Sequence, residues 1–99
     1  MSIGRVTMME FSSEEAIEEA EVEYKKIRAE AFPTLELVLN IRTGPKSVMS
    51  VAVYPSKESA DSNLPARKEY QDRLAANIKD SFYHEGEVSY FFQPKANRS

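Results

Sequence analysis

The stretch SVMSVAVYPSKESADSNLPARKEYQ, residues 47–71, decides how the chain is read. Its first eight residues alternate in the manner of a strand that ends at Tyr54-Pro55. Ser56 follows at once, placed to cap a first short helical turn over KESAD. Asn63 stands where a second helix start needs a cap, and Pro65 is tolerated in its first turn. The stretch therefore turns a strand into a helix. An N-cap hydroxyl contributes ~1 kcal/mol. A serine beside Glu58 with no positioned histidine has no nucleophile signature, so the role assigned to Ser56 is structural.

Upstream, TLELVLNIRT (34–43) alternates cleanly, and Gly44-Pro45 is a turn signal. The short link to KSVMSVAVY (46–54) implies an antiparallel hairpin. Before it, SEEAIEEAEVEYKKIRAEAF (13–32) carries Ile17, Ala20, Tyr24, Ile27 and Ala31 at helical spacing. Ser12 and Glu15 have capping-box spacing, acids lie early and bases late, and Pro33 stops the helix. IGRVTMMEF (3–11) reads as a first strand. Downstream, the longer helix carries Tyr70, Leu74, Ile78 and Phe82 at four-residue steps. His84-Glu85-Gly86 reads as its end, with Gly86 free to take a left-handed conformation. EVSYFFQ (87–93) reads as a last strand, and residues 94–99 as a loose tail.

The order is β-α-β-β-α-β. Right-handed crossovers then give an α+β, ferredoxin-like layout: a four-stranded antiparallel sheet with both helices on one face. The row Leu35, Leu37, Leu39, Ile41, Met49, Val51, Val53, Val88, Tyr90 and Phe92 is assigned to the helices. The opposite face then carries Met9, Phe11, Val38, Val48, Ala52, Tyr54 and Phe91 among Glu36, Asn40, Arg42, Ser50, Ser89 and Gln93. That second row is too apolar for a sheet face in water, so a covering partner is expected. A second copy would bury Met9, Val38, Val48, Ala52, Tyr54 and Phe91, and Arg42 would meet Glu36 across the two-fold axis.

Element order, the half-apolar second face and the passage VAVYPSKESADS carry a resemblance. The chain resembles the dimeric α+β barrel superfamily, and within it the antibiotic-biosynthesis-monooxygenase-like (ABM-like) domain. Tyr54, Ser56, Glu58 and Ala60 match its "Y/W-x-S-x-E-x-A" start of the second helix. The resemblance implies a homodimer closing into an α+β barrel and a ligand space between sheet and helices. It also implies a cofactor-independent monooxygenase or isomerase acting on a small hydrophobic compound.

Composition sets the outer bounds. Ninety-nine residues make a single domain over 1–99, with ordinary globular hydrophobic (41%) and charged (29%) content. A net charge of -3 argues against a nucleic-acid partner. An RNA-recognition reading of the topology also fails, because KSVMSVAVY has no Gly and one terminal Tyr. There is no Cys and one His, so thiolate chemistry and a multi-His metal site within one chain are excluded. No apolar run spans a membrane and MSIGRVTMMEF has no signal-peptide core, so the expected location is the cytoplasm. The glutamates from Glu14 to Glu23 read as a solvated helix face.

Tyr24, Tyr70 and Tyr90 fall on inward stripes of three elements and are the candidate pocket residues, with His84 at the expected helix end. Packing of the rings with each hydroxyl at the rim is the competing explanation. Asn40 and Arg42 could hold an anion, and at a dimer face pairing with Glu36 competes with that role. Residue chemistry shows no convincing acid/base pair. A non-catalytic small-molecule-binding or interaction domain of the same fold is therefore the alternative to an enzyme. A regulatory domain of ACT type is disfavoured because such domains accompany another domain.

Overall fold

The structure is a computed structural model that describes residues 1–94. The chain runs β1 (Ile3–Phe11), α1 (Glu14–Ala31), β2 (Leu37–Gly44), β3 (Ser47–Tyr54), α2 (Lys57–Ser62), α3 (Leu64–Leu74), one 3-10 turn (Ala75–Asn77) and β4 (Ile78–Glu87). The sheet order is β2-β3-β1-β4 with every pairing antiparallel. This is the ferredoxin-like layout, with its second helical segment divided in two. No helix of the described residues is long and apolar enough to cross a membrane.

The division follows the local chemistry of the 47–71 stretch. Ser56 caps α2, its Oγ accepting from the Ser59 backbone N–H at 3.1 Å. Asn63 starts α3 through its backbone carbonyl, which accepts from Arg67 N–H at 2.9 Å. Its side chain is not a cap. The buried amide turns back to donate to Thr34 Oγ1 and the Ser59 carbonyl, each at 3.0 Å, and so ties the α2–α3 corner to the approach to β2. In α1 the cap is Ser13, one residue later than the capping-box spacing implies. Its Oγ accepts from Ala16 N–H at 3.1 Å. Ser12 instead donates its backbone N–H to the Asn77 carbonyl at 2.8 Å.

The last strand lies nine residues earlier than the sequence suggests. Ile78 and Phe82 belong to β4, and so do His84 and Gly86, where no left-handed residue occurs. A four-residue step is two strand repeats and close to one 3.6-residue helical turn, so over this short window Tyr70, Leu74, Ile78 and Phe82 fit either. Pairing decides: β4 gains a full ladder with β1, from Ile3–Glu87 to Glu10–Asp80, with a register shift before Phe11–Ile78. Residues 88–93 form no strand, and Tyr90 and Phe92 are exposed. Of the expected 94–99 tail, 95–99 lie outside the described residues.

The two sheet faces are also exchanged. The helices cover the row of Arg5, Thr7, Met9 and Phe11 on β1, Val38 and Asn40 on β2, and Val48, Ser50, Ala52 and Tyr54 on β3. The open face carries three cross-strand rows: Ile41–Met49–Met8–Phe82, Leu39–Val51–Val6–His84 and Leu37–Val53–Gly4–Gly86. Strand alternation separates two faces but does not say which one the helices take. The main core joins Phe11, Ile17, Ala20, Val48 and Leu74, and a second cluster joins Ile3, Tyr54 and Ala60.

Ser13→Ala is expected to lower unfolding free energy by ~1 kcal/mol, the usual loss for an N-cap, while Ser12→Ala leaves it nearly unchanged. Urea denaturation of the two variants checks which serine is the cap.

Candidate functional site

Between sheet and helices lies a cavity of about 90 Å³. Strands supply its floor and α1 and α3 its roof. Along β1 the lining passes from Arg5 through Thr7 and Met9 to Phe11. Along β3 it passes from Tyr54 through Ala52 and Ser50 to Val48. Ile17, Ala20 and Tyr24 come down from α1, and Arg67, Tyr70 and Leu74 from α3. The cavity is therefore graded, with cations at the Arg5 end and hydrocarbon at the Phe11 end. Where β2 meets α1, exposed Asn40 donates to Glu21 at 3.1 Å, so this lining pair faces solvent.

Arg5 dominates the polar end. Its side chain is almost wholly buried on a central strand, and its Nε donates to Glu85 Oε1 at 2.8 Å. Glu85 reaches it because Arg5 and Glu85 are direct cross-strand partners. Glu85 also accepts from Lys57 Nζ at 2.8 Å and from the Tyr83 hydroxyl at 2.9 Å. Those three bonds, from Lys57, Arg5 and Tyr83, hold its carboxyl down at about 2. Burial disfavours the Arg5 charge, and the bond to Glu85 with nearby charges more than offsets it. The Tyr54 ring lies 5.3 Å from the Arg5 guanidinium carbon, a cation–π distance. Nη1 and Nη2 of Arg5 remain buried without a hydrogen-bond partner. An unsatisfied buried donor costs ~1–3 kcal/mol, so these atoms need an explanation.

Arg67 enters from α3. Its Nη2 donates to Thr7 Oγ1 at 3.3 Å, and its guanidinium sits 4.1 Å from the Tyr83 ring centroid. Burial lowers its pKa, and the charge of Arg5 adds to the lowering. The tyrosines form the middle of the roof. Tyr70 donates to the Ala20 carbonyl at 2.8 Å, and its ring lies 5.5 Å from that of Tyr24, which in turn lies 5.6 Å from Phe32. Burial pushes the Tyr24 hydroxyl up to about 12 and raises Tyr70 as well, so neither is a base near neutral pH.

Of the four pocket candidates from sequence, the structure brings Tyr24 and Tyr70 together in the lining. Tyr90 lies beyond β4 and is 83% exposed, and His84 points to the open face beside Val6. Among the residues assigned to a dimer face, Met9, Val38, Asn40, Val48, Ala52 and Tyr54 instead line the cavity. Glu36 accepts from Ser2 Oγ at 2.9 Å just before β2, Arg42 is exposed near the β2–β3 turn, and Phe91 is exposed beyond the sheet. Arg5, Thr7, Arg67 and Glu85 escaped the sequence reading. The available signal was Arg5 itself, a cation on the same strand face as Ile3 and Phe11.

No family model matches the chain, and no curated protein matches it. Solved structures do. A dimeric ferredoxin-like protein from an uncultured marine organism superposes with a TM-score of 0.73 at 16% identity, covering 94% of this chain and 93% of that one. A proposed antibiotic biosynthesis monooxygenase from Chloroflexus aurantiacus gives 0.71 at 17% identity, covering 94% and 98%. SnoaB from Streptomyces nogalater, a cofactor-independent oxygenase, gives 0.75 at 13% identity, with the same coverage of 94% and 98%. The fold is thus that of ABM-like, ferredoxin-like proteins over nearly the whole chain.

The depressed Glu85 carboxyl fixes a pH dependence. A folded-state pKa below the unfolded ~4.3 contributes stability above that value, and the contribution disappears as pH falls toward about 2. Thermal melting from pH ~5 down to ~2 should fall more steeply for the wild type than for Glu85→Gln, which has no such proton to bind. Parallel slopes would show that Glu85 is not held by its cations.

Proposed function

We propose that the chain works as a homodimer in which each protomer takes a small, largely apolar compound into the cavity between sheet and helices. The carrying observation is the graded cavity, closed around hydrocarbon at one end and lined by convergent polar groups at the other, as small-molecule sites are. Among the described residues the lining contains no histidine and one carboxylate, Glu21, which stands at the solvent edge bonded to Asn40. That chemistry supports binding more directly than proton transfer.

The homodimer rests on the open sheet face. Met8 and Leu39 are each 40% exposed, Ile41 45% and Phe82 60%, and they flank the half-buried Val6, Met49 and Val51. A continuous apolar face of this kind marks an interaction surface. Burying one such side chain contributes ~1.5–3 kcal/mol, so several together offset the cost of association. The same fold occurs in a neighbour described as dimeric. A second copy packing sheet on sheet closes the α+β barrel, and this interface uses the Met8–Leu39–Ile41–Phe82 face.

A second reading, oxygenation of the bound compound without a cofactor, is favoured by the likeness to SnoaB. In it, the substrate's acidic C–H gives its proton to water, and Arg5 would stabilise the carbanion that then reacts with dioxygen.

Size exclusion with light scattering at micromolar concentration should show a dimer, and Leu39→Asp a folded monomer. A wild-type monomer rejects the dimer. An oxygen electrode, run on a panel of phenols and ketones with acidic C–H bonds, separates the two readings. Uptake that requires the protein supports oxygenation; shifts in melting temperature without uptake support binding alone.

A further inference from the structure

The two arginines at the polar end are short of anions. Arg5 is 2% exposed, and its Nε is committed to Glu85 while Nη1 and Nη2 have no hydrogen-bond partner. Asp61 Oδ1 lies 3.5 Å from Nη2, too far for a good hydrogen bond, and is itself held by Lys57 at 3.0 Å. Among the described residues no carboxylate lies within ion-pair distance of Arg67, which leans on Thr7 and the Tyr83 ring. Lys57 and Asp61 are solvent-exposed, so the balance rests on the two lining arginines. Arg5 has Glu85, and among the described residues Arg67 has no carboxylate, which leaves one positive charge uncompensated. Buried cations without acceptors are costly, and a guanidinium fork matches the two oxygens of a carboxylate. Nη1 and Nη2 of Arg5 are sealed from solvent, so a ligand reaches them only as the lining side chains shift.

We propose that Arg5 and Arg67 form a carboxylate-binding end of the cavity. The compound taken up is then a small organic carboxylate whose apolar body lies against Phe11, Ile17 and Leu74. This rests on the reading of the cavity as a binding site and adds the charge of its ligand. A single uncompensated charge suits a monoanion, and Glu85 nearby opposes a more highly charged group. A cavity of about 90 Å³ suits a small compound such as a branched short-chain acid, or one ring with slight opening.

The test is calorimetric titration of the intact protein near neutral pH with two acid–amide pairs, isovalerate against isovaleramide and benzoate against benzamide. The acids should bind roughly ten-fold or more tightly than their amides, as expected for charge-assisted bonds made in a buried site. Arg67→Met should remove most of that preference while leaving amide binding within about two-fold, and Arg67→Lys should restore part of it. Arg67 is chosen because it is in no ion pair, so its loss strands no buried carboxylate. Arg5→Lys provides a second variant and should also weaken the acids selectively.

Equal binding of acids and amides overturns the carboxylate end while leaving the cavity as a binding site. It would mean that a trapped water serves the Arg5 donors. An acid preference untouched by both arginine variants also overturns it, because the anion then sits elsewhere. No binding by either pair to a folded protein removes both the carboxylate end and the cavity reading.

Discussion

A guanidinium on a central strand, under two helices, can exist only if its charge is met. Arg5 is that group, and much of the polar chemistry follows from meeting it. Its cross-strand partner Glu85 lies on β4, so the ion pair also joins β1 to the sheet edge. Lys57, at the start of α2, shares Glu85 and brings the strand-to-helix corner to the same point. Arg5 is buried while Glu85 lies near the surface, so losing Glu85 would leave a buried guanidinium without its acceptor. The pairing therefore makes β4 register, α2 position and the polar end of the cavity interdependent.

The opposite end of the cavity obeys a different constraint. Phe11, Ile17, Val48 and Leu74 close it by packing, with Ile78 brought against them by the register shift at the end of β1. Between the ends, Tyr70 spends its hydroxyl on the Ala20 carbonyl, fixing α3 against α1 and presenting only ring surface to the lining. The result is a cavity that is apolar at one end and cationic at the other. In the proposed binding site, discrimination would come from shape at the apolar end and from charge at the Arg5 end.

The junction at 47–71 was the most legible part of the chain, because Ser56 and Pro65 are local signals whose meaning does not depend on tertiary contacts. Asn63 marked the helix start correctly, but its side chain goes to Thr34 rather than to a cap. The α+β layout followed from it. Inside and outside were not legible. Leu37, Leu39 and Ile41 form the more apolar row and look like a core stripe, yet they face away from the helices. The helix-covered row keeps Arg5 and Thr7, which line a cavity, while Asn40 on the same row stays at the solvent edge. Apolar content alone could not tell a helix-covered face from an open one. The helix-to-strand switch at Ile78 was hidden for a related reason: its apolar spacing fits both repeats, and only pairing with β1 separates them. Of the site, Tyr24 and Tyr70 were readable as an inward helical stripe. Arg5, Arg67 and Glu85 come together through long-range register.

The buried, paired state of Arg5 is the central claim, and proton–nitrogen NMR of the arginine side chains tests it most directly. The Arg5 Nε–H signal should exchange slowly with water and lie apart from those of exposed Arg28 and Arg42, and it should move when Glu85 is replaced by Gln. An Arg5 signal that exchanges as fast as Arg28 and ignores that replacement would contradict the account.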